Sequence, residues 1–131
     1  MNEKLEVLYV DDEADIRTIV EMSLGLDAGL GLRLCDTGQE ALDLLDEGEW
    51  RPNIALIDRM MPEMSGEVLL KALRAREGLA GLPILFVTAS ARQGDIQTYL
   101  AMGADGVITK PFDPLSLAAQ VRDHYRRIKG A

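Results

Sequence analysis

Acidic residues follow two of the short apolar runs in this chain of 131 residues. Asp11 and Asp12 come directly after the run 5–10, and Asp58 comes directly after the run 53–57. Three carboxylates held close together repel one another, so a site that contains them takes up protons or holds a cation. With no His or Cys nearby in sequence, such a site favours Mg²⁺, or Mn²⁺ as a substitute, over zinc.

Two further polar residues follow later apolar runs. Thr88 comes after the run 83–87, and Lys110 comes after the run 106–109. A mobile ammonium group and a hydroxyl donor suit the oxygens of a phosphoryl group, which develops and retains negative charge. Mg²⁺ often binds beside phosphate oxygens, and a carboxylate can act as a nucleophile. The residue types therefore predict phosphoryl chemistry with Asp58 as the nucleophile.

The elements that must position these side chains are predicted from the apolar pattern. Five short apolar runs alternate with longer segments of helical periodicity, which is a (βα)5 pattern. We expect an α/β fold, a doubly wound flavodoxin-like sandwich whose five-stranded parallel sheet has the order 2-1-3-4-5. Ligands bind at the carboxyl ends of such strands, where the strand order reverses between strands 1 and 3, so the aspartates should cluster there. The predicted strands are 5–10, 30–35, 53–57, 83–87 and 106–109.

Several helix starts carry capping signals. Thr37 with Glu40 forms a capping-box pattern, and Ser65 precedes an apolar-periodic run. Asp113 precedes Pro114, which predicts that the fifth helix begins with this proline.

The fifth helix is predicted to lie on the sheet through one apolar face. His124 should be an exposed surface residue of this helix. The apolar face comprises Leu117, Ala118, Val121, Tyr125 and Ile128, whereas Arg122, Arg126 and Lys129 lie off it.

Composition narrows the function classes. The formal net charge of -8 argues against nucleic-acid binding, which needs a basic surface. Cys35 is the sole cysteine, so no internal disulfide can form, and we expect it to be a buried small hydrophobe. No apolar stretch is long enough for a signal segment or a membrane span. We therefore expect one cytoplasmic domain over residues 1–131, with its core at about 5–128 and no output domain.

Several segments, taken in their order along the chain, resemble the receiver domain of two-component response regulators, the CheY-like superfamily. The resemblance extends from residue 7 to about 128. It rests on Val-Asp-Asp-Glu at 10–13, Ile-Asp-Arg-Met-Met-Pro-Glu-Met-Ser-Gly at 57–66, Val-Thr-Ala at 87–89, Gly-Ala-Asp-Gly at 103–106 and Lys-Pro-Phe at 110–112.

By this resemblance, Asp58 is the phosphoacceptor and receives its phosphoryl group from the phosphohistidine of a histidine kinase or a histidine phosphotransfer protein. Mg²⁺ is expected to bind Asp12, Asp58 and the backbone carbonyl of Met60, while Asp11 reaches the metal through water. The resemblance also implies slow self-catalysed loss of the phosphate rather than an enzyme that acts on other substrates.

The resemblance also implies how the signal spreads. Thr88 and Lys110 are expected to contact the phosphoryl oxygens, and the small Ala89 leaves room for them. Thr88 would pull the loop that ends at Gly94. The family commonly has an aromatic switch residue three positions before the lysine, where this chain has Val107.

Contacts with other proteins are likewise implied by the resemblance. The kinase side would dock near Ile16 and Ile19 of the first helix and on the loop of Pro111 and Phe112, whose Lys110–Pro111 bond is usually cis. A downstream protein, or a second copy in a dimer, would use the face made by helix 4, strand 5 and helix 5. The chain could be a stand-alone regulator or a part of a longer protein.

Of three competing interpretations, the phosphohydrolase fails and two stay open. Asp12 could merely cap the first helix, as strand-end aspartates often do. A phosphohydrolase that forms an aspartyl phosphate needs a second acid two residues after the nucleophile, where this chain has Met60. A degenerate receiver used only for docking would lack phosphate chemistry, and Val107 leaves room for that alternative.

Overall fold

The computed structural model describes residues 3–90 and 92–130. Strands and helices alternate strictly along the chain, which confirms the predicted (βα)5 pattern. None of the described helices is long and apolar enough to cross a bilayer. The elements are β1 (Leu5–Val10), α1 (Ala14–Leu24), β2 (Leu30–Cys35), α2 (Gly38–Asp46), β3 (Ile54–Asp58), α3 (Gly66–Arg74), β4 (Ile84–Thr88), α4 (Gln93–Ala101), β5 (Gly106–Thr109) and α5 (Leu117–Lys129).

The sheet is parallel throughout and has the predicted order β2-β1-β3-β4-β5. At its carboxyl edge, Val10 of β1 lies opposite Ile57 of β3. Asp58 pairs with Val87 of β4, so the register carries this aspartate to the same edge as the end of β1. The acidic pair and Asp58 therefore emerge from adjacent strands.

Alternate side chains of the strands enter two separate cores, as the two-residue period of a strand requires. Leu8, Ala55 and Phe86 face α2, α3 and α4. Tyr9, Leu56 and Val87 face α1 and α5. The buried strands thus have helices on both faces, which explains why their sequences are apolar at nearly every position.

Two strand boundaries differ by one residue from the prediction. β3 begins at Ile54 and includes Asp58, and β4 begins at Ile84 and includes Thr88. Both of these predicted site residues belong to strands rather than loops, because their backbones still pair with the next strand.

Two of the three predicted helix starts are confirmed. The Thr37 side chain accepts a 3.0 Å hydrogen bond from the Glu40 backbone, and the Ser65 side chain caps α3. The predicted start of the fifth helix is wrong, because α5 begins at Leu117. Asp113 instead stabilises a preceding turn, in which its carboxylate accepts a 2.9 Å hydrogen bond from the Leu115 backbone.

The predicted apolar face of α5 packs on the sheet, but Arg122 does not lie away from it as expected. This arginine is buried and forms a two-point ion pair with Asp27, at 2.6 and 3.0 Å. The hydrogen bonds that the guanidinium donates to Asp27 raise its pKa. The pair ties α5 to the segment after α1, a contact that helical periodicity alone does not reveal.

Cys35 is buried as predicted, and burial raises the pKa of its thiol to about 12.

Candidate functional site

The carboxyl edge of the sheet gathers the predicted residues around one cleft. Asp11, Asp12 and Asp58 each offer a carboxylate oxygen within 4.8 Å of the others. A cleft of about 380 Å³ opens beside them. It is lined by Glu13, Asp58, Arg59, Met60, Thr88, Ala89, Ser90, Tyr99 and Lys110.

Asp11 is fully buried, and protein groups occupy both of its carboxylate oxygens. Oδ1 accepts a 2.9 Å hydrogen bond from the Glu13 backbone N–H. Oδ2 accepts a 2.8 Å hydrogen bond from the Tyr9 hydroxyl and lies 3.0 Å from the Lys110 ammonium. Arg17 also donates to the Asp11 backbone carbonyl. A carboxylate so fully engaged suits contact with a cation through water more than direct coordination.

Asp12 differs sharply from its neighbour because its side chain is exposed. Among residues 3–90 and 92–130, none forms a hydrogen bond or an ion pair with its carboxylate. The N-cap of α1 is Glu13, and no side chain caps that helix. Asp12 therefore does not cap α1, which was its alternative role, and its carboxylate oxygens are available to a ligand.

Asp58 is almost completely buried, with 4% of its surface exposed. Burial first, and then the nearby charge of Asp11, raise the pKa of its carboxyl to about 6, against the opposing effects of Lys110 and of the hydrogen bond from the Met60 backbone N–H. The raised pKa shows that negative charge on Asp58 is unfavourable beside Asp11. A cation bound at these two carboxylates would offset that charge.

The loop after Asp58 folds back very closely on the strand end. A Cβ on Gly66 would lie 2.8 Å from the Asp58 carbonyl oxygen, and the Gly66 N–H donates a 3.0 Å hydrogen bond to the Arg59 carbonyl. Only glycine fits this approach without a shift of the backbone. Gly66 thus holds the loop that carries Met60, whose backbone was predicted as a metal ligand, at the mouth of the cleft.

Lys110 reaches across the cleft to three acidic residues. Its ammonium nitrogen lies 3.0 Å from Asp11, 3.1 Å from Glu13 and 3.4 Å from Asp58. Burial alone would lower the pKa of Lys110, but hydrogen bonds to Asp11 and Glu13 raise it on balance. The lysine is therefore a fixed cation at the phosphoacceptor candidate. The Lys110–Pro111 bond is cis, as predicted.

Thr88 ends β4 at the same edge, with its side chain largely buried. Its hydroxyl oxygen accepts a 3.2 Å hydrogen bond from the Ser90 backbone N–H. Ala89 lies between them and is exposed, which leaves that side of the cleft open. The loop does not extend to Gly94 as predicted, because α4 already begins at Gln93.

The family-level comparison agrees with this geometry. The family model of the response regulator receiver domain matches residues 7–122. The chain belongs to this receiver family.

Three curated relatives are longer proteins of which one part is similar to this receiver. The probable transcriptional regulator ycf27 of Porphyridium aerugineum is 36% identical over 98% of the receiver and 51% of its own length. The transcriptional regulatory protein GltR of Pseudomonas aeruginosa is 35% identical over 92% and 49%, respectively. The regulatory protein VanR of Enterococcus faecium is 36% identical over 95% and 51%. The receiver thus spans about half the length of these relatives.

Solved structures show the same fold. The chemotaxis response regulator CheY4 of Vibrio cholerae is 32% identical and has a TM-score of 0.80, with 92% of this receiver and 98% of that chain covered. A receiver domain of a histidine kinase from Syntrophus aciditrophicus is 28% identical, with a TM-score of 0.77 and coverage of 97% and 94%.

The sequence assigned no role to four residues in or beside the receiver's cleft, which are Tyr9, Glu13, Arg59 and Tyr99. Tyr9 and Asp11 lie two positions apart at the end of a strand, so their side chains share a face, and a tyrosine in a buried strand needs a partner for its hydroxyl. Glu13 directly follows Asp11 and Asp12, but this position alone does not predict its contact with Lys110. Arg59 and Tyr99 gave no sequence signal, because their contact depends on how α4 packs.

Proposed function

We propose that this receiver accepts a phosphoryl group on Asp58, with a divalent cation bound beside it, and transmits the change through contacts with other proteins. One arrangement carries the proposal. The Asp58 carboxylate is buried at the edge of the sheet, within 4.8 Å of oxygens of two other aspartates and 3.4 Å from the Lys110 ammonium.

The cation that fits these ligands is Mg²⁺, for which Mn²⁺ can substitute. Asp12 and Asp58 would bind it directly together with the Met60 backbone carbonyl, and Asp11 would act through a water molecule. The full engagement of the Asp11 oxygens and the open carboxylate of Asp12 support this division. When bound, Mg²⁺ supplies neutralisation of the charge on the phosphoryl oxygens.

The proposed reaction is a phosphoryl transfer in line with the donor. A carboxylate oxygen of Asp58 forms a bond to phosphorus while the bond between phosphorus and the imidazole nitrogen of the donor breaks, and the electron pair stays on that nitrogen. Lys110 and the Thr88 hydroxyl would contact the phosphoryl oxygens, and Ala89 leaves them space. Such a site works mainly through positioning and charge stabilisation, which is how loose phosphoryl-transfer transition states are generally helped.

The donor would be a histidine kinase or a histidine phosphotransfer protein. The output would be a downstream protein or a second copy of the chain on the face of α4, β5 and α5. The net charge of -8 supports a protein partner rather than nucleic acid, and we propose a cytoplasmic location and no catalysis on other substrates.

Intact mass spectrometry after incubation with acetyl phosphate and Mg²⁺ tests the proposed acceptor. The native chain should gain one phosphoryl group only with the metal, and Asp58→Ala should gain none. Asp36→Ala is the matched control, because Asp36 is an exposed aspartate that also follows a strand. An unmodified native chain would support a docking module without phosphate chemistry, and an adduct on Asp58→Ala would show that the acceptor is a different residue.

A further inference from the structure

Tyr99 of α4 contacts the loop that follows Thr88. Its hydroxyl donates a 3.3 Å hydrogen bond to the Ser90 carbonyl. Its ring meets Phe86 of β4 edge-on, with the ring centroids 5.9 Å apart. Tyr99 therefore contacts both β4 and the loop that leaves its carboxyl end.

Tyr99 also contacts the loop that follows Asp58. The guanidinium carbon of Arg59, the next residue after Asp58, lies 5.0 Å from the centroid of the Tyr99 ring. The Arg59 Nε is buried, and no described residue accepts a hydrogen bond from it. The tyrosine is thus held from two sides, by the residue beside the phosphoacceptor candidate and by the loop beside Thr88.

The helix α4 is attached to the core mainly at Tyr99, the residue that makes these two contacts. Tyr99 is the one buried residue among the residues of Gln93–Ala101, all of which the structure describes. Its exposed surface is 4%, whereas Leu100 beside it is 46% exposed. Because Tyr99 is the only fully buried residue of this helix, a change in the surroundings of Tyr99 should change how α4 is attached to the core.

The contact of Tyr99 with Ser90 gains importance because Val107 stands where the family commonly has an aromatic switch residue. Val107 is half-buried on β5 and packs against the core that contains Tyr99. Its short side chain cannot move between an outer and an inner position as an aromatic ring can. The space beside Ser90 is instead reached by an aromatic side chain that comes from α4.

We propose that Tyr99 couples the chemical state of Asp58 to α4, a role that rests on the proposed function of Asp58 as the phosphoacceptor. A phosphoryl group adds negative oxygens to the cleft, and a charge-assisted hydrogen bond from Arg59 to such an oxygen is stronger than its contact with an aromatic ring. A shift of Thr88 toward the same oxygens moves Ser90. Both changes weaken the hold on Tyr99, and α4 is released or repositioned.

Hydrogen exchange of the peptide that contains α4 tests the proposal, with intact mass measured on the same samples. Acetyl phosphate and Mg²⁺ should change the exchange of α4 in the native chain. At an equal phosphorylated fraction, Tyr99→Leu should reduce that change by about threefold or more, because the state of the site no longer alters the attachment of the helix. Tyr99→Phe, which keeps the packing and loses only the hydroxyl, should give an intermediate reduction.

Tyr125→Phe is the matched control, because Tyr125 lies on α5 in the other core. The proposal is overturned if both Tyr99 variants respond like the native chain, or if α4 of the phosphorylated native chain does not respond. Tyr99→Phe keeps the test valid if Tyr99→Leu does not fold. A native chain that gains no phosphoryl group would contradict the proposed function itself, which intact mass distinguishes from a failure of coupling.

Discussion

The hydroxyl of Tyr9 donates a 2.8 Å hydrogen bond to Oδ2 of Asp11, and both side chains are completely buried. The tyrosine comes from the interior of β1 and fixes the orientation of a carboxylate at the end of that strand. Burial raises the pKa of Tyr9 further above its ordinary value, so the group stays a donor at any working pH. This bond therefore joins the core directly to the candidate metal site.

Tyr9→Phe should weaken Mg²⁺ binding by about tenfold, because groups that orient metal ligands contribute to affinity on that scale. The folded state should also lose about 1 kcal/mol, since the buried Asp11 oxygen loses one of its two donors. Calorimetric titration with Mg²⁺ and unfolding in urea measure the two effects. Tyr125→Phe provides the control, and equal Mg²⁺ affinity in both variants would show that Tyr9 has no part in the site.

Replacement of Lys110 by methionine should destabilise the metal-free protein at neutral pH by about 1–3 kcal/mol, because buried carboxylates lose their shared cation. Added Mg²⁺ should recover much of that loss. Urea unfolding with and without the metal gives both numbers. Lys129→Met changes an exposed lysine at the end of α5 and should have little effect. If the two lysine variants were equally stable, the cluster would not depend on the ammonium group.

The raised pKa of Asp58, about 6, gives its contribution to stability a definite dependence on pH. Between the lower pKa of the unfolded chain and this value, the folded state binds more protons. The contribution is therefore full below the unfolded pKa and is lost as pH rises through the folded pKa.

Without metal, Asp58→Asn should consequently be more stable than the native chain at pH 7, by about 1–2 kcal/mol. Its stability should also change less with pH across this range. Unfolding curves at several pH values, with Asp36→Asn as the exposed control, measure this. A native-like slope in Asp58→Asn would mean that another group causes it.

Arg122→Ala should destabilise the fold by about 3 kcal/mol, because it leaves the largely buried Asp27 carboxylate without its two-point cation. Arg126→Ala is the comparison on the same helix, since Arg126 is exposed and contacts Asp123 only at 3.5 Å. That variant should change the unfolding free energy by less than about 0.5 kcal/mol. Equal effects in a urea titration would contradict a structural role for the buried pair.

The fold and the main site could be predicted because both follow from one pattern. Apolar runs that suit strands buried on both faces end at Asp11, Asp58, Thr88 and Lys110, and parallel strands bring such ends together. The ends of β3 and β4 lie one residue beyond the predicted ends, because backbone pairing continues into Asp58 and Thr88.

Contacts between elements distant in sequence were not predictable in the same way. Arg122 pairs with Asp27 at a separation of 95 residues, and Lys110 contacts Glu13 at a separation of 97. The contact of Arg59 with Tyr99 depends on how α4 packs. Helical periodicity shows which side of a helix is apolar, but it does not reveal which polar residue is buried against a partner.

The position of the phosphoryl group tests the central claim most directly. Borohydride reduction of an aspartyl phosphate gives homoserine, so peptide mass spectrometry of the reduced protein identifies the acceptor. After treatment with acetyl phosphate and Mg²⁺, we predict homoserine at position 58. Homoserine at Asp11, Asp12 or another aspartate, or a phosphoryl group on His124 that resists reduction, would contradict this assignment.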